Sequence, residues 1–139
     1  MGLAVAGCMG RTVSSGSGSS AKMSELTFAY VTVWPNGKRG KGQSYGLPCG
    51  RGGGEFGSGS GTRLFPNARV ACRKLSRLPI EAFAPLPRNV ACTEIYGGPE
   101  VASVFGFAAG KEFEATFART NGCEIARWNR VRFLFPSVR

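Results

Sequence analysis

The chain has 139 residues, 42% of them apolar, and a formal net charge of +10. It contains no histidine, and all eight acids are glutamates, so a Ser-His-Asp triad, a histidine-bearing zinc site and an aspartate-built EF-hand loop are excluded within one chain. This length supports one domain, and 21 glycines with 8 prolines favour turns and short strands over a helical bundle.

Residues 1–23 read as a signal remnant followed by a Gly/Ser linker, and 24–139 as the folded domain. "LAVAGC" ends on Cys8 and looks like a bacterial lipobox, in which the cysteine is the lipidated residue. "SSGSGSS" (14–20) then suits a flexible tether from a membrane. No run of about 18 apolar residues is present to form a spanning helix.

"ELTFAYVTVW" (25–34) alternates and is expected to be a strand, with Leu26, Phe28, Tyr30, Thr32 and Trp34 on one face. "PNGKRGKG" (35–42) is a turn and basic loop, and "QSYGLPC" (43–49) pairs back as a second strand. "GRGGGEFGSGSG" (50–61) reads as a surface loop; no strand–helix frame surrounds it to make a phosphate cradle. "PNARVACRKLSRLP" (66–79) predicts a short helix that Asn67 can cap, with Arg69, Arg73 and Arg77 as an outer row read as a solvated face, an anion-binding stripe being the alternative. "PLPRN" (85–89) is extended.

"VASVFGF" (101–107) and "EFEATFAR" (112–119) are expected strands. The second should set Phe113, Ala115 and Phe117 against Glu112, Glu114 and Thr116. "NGCEIARWN" (121–129) predicts a turn and short helix, and "RVRFLFP" (130–136) a final strand in which Val131, Phe133 and Phe135 alternate with their neighbours. Trp34, Trp128, Phe133 and Phe135 read as core or dimer-face aromatics. The sum is an α+β fold: a five-stranded antiparallel sheet with two short helices packed on one face.

Five cysteines occur, at 8, 49, 72, 92 and 123. With Cys8 set aside for lipidation, the other four read as two disulfides of an exported protein. Three pairings are open at this level. No Cys-x-x-Cys pair supports a zinc site, and the chain is read as a non-enzyme with no metal or cofactor. The basic balance carries no helix-turn-helix, RNP or zinc-finger pattern, so nucleic acid is not an expected partner.

"LPC", "ACRKL", "ACTEIYGGP" and "RTNGCEIARW", in that order, resemble the Streptomyces subtilisin inhibitor family over roughly residues 25–139. The resemblance implies pairing of Cys49 with Cys72 and of Cys92 with Cys123, secretion, and a sheet-to-sheet homodimer. It also implies substrate-like inhibition of serine proteases, with the reactive bond placed just after the third cysteine. Carried over by position, the scissile bond is Glu94–Ile95, flanked by Cys92, Thr93 and Tyr96. Arg119 and Asn121 are implied to buttress the loop by hydrogen bonds to its backbone. A glutamate at the specificity position points to a glutamate-specific or subtilisin-type protease as partner. "YGGP" is one residue longer than the family's short Tyr-x-Pro, and the first cysteine loop is enlarged by the glycine-rich run. The expected location is extracellular or the outer face of the cytoplasmic membrane. The alternative expectation is an envelope-anchored binding lipoprotein that keeps the scaffold without inhibiting.

Overall fold

The computed structural model describes residues 27–50 and 61–136. Cys8, the linker and most of the glycine-rich run lie outside the described residues. Five strands form one sheet: β1 Thr27–Trp34, β2 Gln43–Cys49, β3 Thr62–Leu64, β4 Val101–Ala108 and β5 Lys111–Ala118, in spatial order β3-β2-β1-β4-β5. Helix α1 spans Ala68–Arg77 and helix α2 spans Gly122–Arg130.

Alternation decides the two faces of the sheet. Ala29, Val31 and Val33 of β1, Leu47 of β2, Ala102 and Val104 of β4, and Phe117 of β5 are buried. They meet Ala71 and Leu75 of α1 and Trp128 of α2, so both helices cover the same face. Glu112, Glu114 and Thr116 of β5 are exposed, as the pattern required. A 3-10 turn at Ile80–Phe83 adds Phe83, whose ring stacks on Phe113 at 4.0 Å between centroids. The small side chains of β1 point inward, and its aromatic residues face the open side. There Tyr30 pairs with Phe105, and both remain more than a third exposed.

Two expectations are corrected. The sheet is mixed, because β3 runs parallel to β2 with Thr62 opposite Ser44. A three-residue strand is too short to show alternation, and it emerges directly from the glycine-rich run. Residues 130–136 are not a strand: α2 continues to Arg130 and a 3-10 turn follows at Arg132–Leu134. The residues buried there are Val131, Leu134 and Phe135, which is the i, i+3, i+4 spacing of a helical turn and not the spacing of a strand. Phe135 packs on Trp128 at 4.4 Å and on Phe117 at 5.6 Å, closing the core beneath β5.

Disulfides join Cys49 to Cys72 and Cys92 to Cys123. The first ties the end of β2 to α1 across a sequence separation of 23, and the second spans a separation of 31. In the chain-entropy picture each stabilises by roughly 3–4 kcal/mol. Two such bonds point to an oxidising environment. Among the described residues no helix is long and apolar enough to cross a membrane.

Candidate functional site: a loop tied on both sides of Glu94–Ile95

Between the 3-10 turn and β4, residues 90–98 carry no helix or strand. Their backbone groups therefore need other partners or water. Glu94, Ile95 and Tyr96 stand out from the fold; Ile95 is 62% exposed and Tyr96 65%. Burial does not hold such side chains out. What holds the chain is a set of ties on either side of them.

The tie on the N-terminal side comes from α2. Asn121 caps that helix: its Oδ1 accepts from the Glu124 N–H at 2.9 Å. Glu124 pairs in turn with Arg127 at 2.9 Å, and the Arg127 guanidinium lies 4.6 Å from the Phe117 ring centroid. The first turn of α2 is thereby fixed to β5. From that turn the Gly122 N–H donates to the Thr93 carbonyl at 2.9 Å, and Cys123 holds Cys92 with Cα atoms 5.4 Å apart. A β-carbon on Gly122 would run into Thr93 Oγ1, so any side chain there must displace that hydroxyl.

The tie on the C-terminal side comes from the end of β5. The Gly97 N–H donates to the Arg119 carbonyl at 2.7 Å. Below it, Arg119 Nη1 meets Glu100 Oε1 at 3.3 Å, with both side chains mostly buried. Glu100 sits directly under Gly98, whose φ of 139° and contact with that carboxylate leave no room for a side chain. Glu94–Ile95 is therefore bracketed by a hydrogen bond one residue before it and another two residues after it.

The family resemblance brought Arg119 and Asn121 to this place, but their contacts differ from the expectation. The Asn121 side chain caps α2 and makes no hydrogen bond to the loop backbone. Arg119 meets the loop through its carbonyl, while its guanidinium pairs with Glu100. Gly97, Gly98, Glu100 and Gly122 were not singled out by sequence reasoning. The Gly-Gly pair and the "NGCE" capping pattern were the signals available for them.

Comparison with protein-family models, with curated proteins and with solved structures gives no match. The functional reading therefore stands on the geometry and on the motifs themselves.

Proposed function

We propose that the chain is an exported inhibitor of serine proteases that presents Glu94–Ile95 as a substrate-like bond. The observation that carries this reading is the bracketed loop. An exposed dipeptide is tied by a disulfide and a main-chain hydrogen bond on one side, and by a second main-chain bond on the other. Ordering a free loop on binding costs affinity, and a loop ordered in advance avoids that cost. After a nick, the same ties keep the new ends adjacent, so resealing competes with release. The likeness of "ACTEIYGGP" and "RTNGCEIARW" to the Streptomyces subtilisin inhibitors supports the same assignment.

Glu94 sets the target. A carboxylate moved into an apolar specificity pocket costs several kcal/mol unless a cation or donor meets it. The partner is accordingly a glutamate-specific serine protease, with ordinary subtilisins bound more weakly. The open face around Tyr30 and Phe105 serves as the homodimer interface, and Cys8 as a lipid anchor in the envelope.

The test is inhibition of one subtilisin and one glutamate-specific serine protease by the oxidised protein, with mass spectrometry of the loop. Tight inhibition with slow cleavage only at Glu94–Ile95 is expected. Glu94→Met should transfer the preference to subtilisin. Rapid cleavage elsewhere, or no effect on either enzyme, would sink the inhibitor reading and favour a binding role for the scaffold.

A further inference from the structure

The charges are sorted by region. Of the six glutamates among the described residues, Glu100 and Glu124 are paired, and Glu81, Glu94, Glu112 and Glu114 lie on the 3-10 turn, the loop and β5. Helix α1 carries Arg69, Arg73, Lys74 and Arg77 and no acid, not even in its first turn. Arg69, Arg73 and Arg77 are like charges at successive i, i+4 spacings, each pair costing about 0.2–0.5 kcal/mol in helix stability. Among the described residues no acid pairs with this row, and a helix surface built only for solubility has no reason to keep that repulsion.

The ends of the two helices bring further cations together. Lys74 and Arg77 from the last turn of α1, Arg130 from the last turn of α2, and Arg132 from the following turn line one groove of about 650 Å³ with Asn129 and Phe133. Among the described residues no carboxylate lines it, and the two ion pairs among them use Arg119 and Arg127 instead. A cation at a helix C-terminus complements the helix dipole. That effect accounts for a basic residue at each end, but not for four converging on one space. Beyond the groove the basic path continues along α1 through Arg73 and Arg69, at about 6 Å per four residues.

We propose that this groove and the outer row of α1 bind a linear chain of phosphate groups. Guanidinium groups take phosphate oxygens in pairs, and the Asn129 amide adds a neutral donor. A base-bearing strand fits less well, because single-stranded nucleic acids need exposed aromatic faces for stacking. The one aromatic ring among the described residues of the groove, Phe133, is partly buried and has the Lys74 ammonium over it at 5.8 Å. The groove lies at the C-terminal end of α2, and the tied loop at its N-terminal end, about 13 Å away along the nine-residue helix. Occupation of the two sites is therefore compatible, and the anion site does not rest on the inhibitor reading.

The experiment follows fluorescence anisotropy of labelled polyphosphate, about fifteen phosphates long, binding to the full oxidised chain as salt rises from about 50 to about 200 mM. Four neutralised phosphates predict a loss of affinity of about 50-fold over that range. The exposed pair Arg77→Glu/Arg130→Glu should weaken binding by more than about ten-fold and flatten the salt dependence. Arg39→Glu/Lys41→Glu, the same charge change in the β1–β2 turn, should have a small effect. Circular dichroism and a free-thiol count confirm that each variant is folded and oxidised. Equal losses in both variants would overturn the proposal in favour of net charge alone. Tighter binding of an oligothymidylate with the same number of phosphates would overturn the base-free ligand. Full competition by inorganic phosphate at equal phosphate concentration would overturn the linear chain. Binding only to vesicles containing phosphatidylglycerol would assign the cations to a lipid surface instead.

Discussion

Gly122 and Thr93 meet so closely that the first residue of α2 serves as a wall of the loop. The Gly122 N–H donates to the Thr93 carbonyl at 2.9 Å, and the space where a β-carbon would sit is taken by Thr93 Oγ1. Gly122→Ala should push the loop outward. The expected cost is about 1–3 kcal/mol, as in other small-to-large changes in tight sites. It should be seen as weaker inhibition and faster cleavage after Glu94. Adding Thr93→Ala removes the obstructing hydroxyl and should recover most of the loss. Additive losses in a double-mutant cycle would show that the two residues do not act through this contact.

The two disulfides should separate stability from function. Replacing Cys49 and Cys72 by serine, or Cys92 and Cys123, is expected to cost about 2–4 kcal/mol in denaturant unfolding in either case. Only the second pair touches the loop. Its loss should convert the protein from a slowly nicked inhibitor to a substrate, whereas loss of the first should leave the loop resistant at temperatures where the chain remains folded. The readout is the cleavage rate by mass spectrometry under native conditions.

Glu100→Gln should loosen the C-terminal tie. It leaves the Arg119 guanidinium without its carboxylate beneath Gly98. Both side chains retain some solvent contact, so the expected loss is about 1 kcal/mol and not the larger penalty of a fully buried pair. Because the Gly97–Arg119 bond belongs to the backbone, the variant should fold normally and be cleaved faster. Hydrogen exchange at the Gly97 amide would report the loosening directly.

The open face of the sheet makes a separate prediction. Tyr30 and Phe105 lie opposite each other there, and Phe28 packs edge-on to Phe105 at 6.3 Å. Sedimentation equilibrium of the wild type is expected to show a dimer. Tyr30→Glu/Phe105→Glu should give a monomer, since burying two added carboxylates without partners costs several kcal/mol. A wild-type monomer at micromolar concentration would remove this face as a dimer interface.

Much of the architecture is legible in the chain because its strands have one buried face. The alternation in 25–34 and 112–119 signals two of the strands, and that in 112–119 places Phe113, Ala115 and Phe117 inside. The segment after α2 misleads for a physical reason. Its apolar residues at 131, 133, 134 and 135 fit both a strand and a helical turn. The contact of Phe135 with Trp128 and Phe117 selects the turn. The resemblance singled out the loop residues Glu94 and Ile95 and the Cys92–Cys123 tie, whereas the main-chain bonds from Gly122 to Thr93 and from Gly97 to Arg119 could not be read from it.

By itself the sequence determined the absence of histidine chemistry, the basic charge, four of the five strand segments and both helical segments, and a cysteine set suited to two bonds. These properties depend on composition or on short periodicities. The tertiary structure decided which cysteines meet, that β3 returns parallel beside β2, and that Gly122 and Arg119 reach the loop through their main chains. Backbone hydrogen bonds leave no mark in residue type except where a glycine must clear the approach. The convergence of Lys74, Arg77, Arg130 and Arg132 from segments more than fifty residues apart is likewise visible only once the two helix ends are packed together.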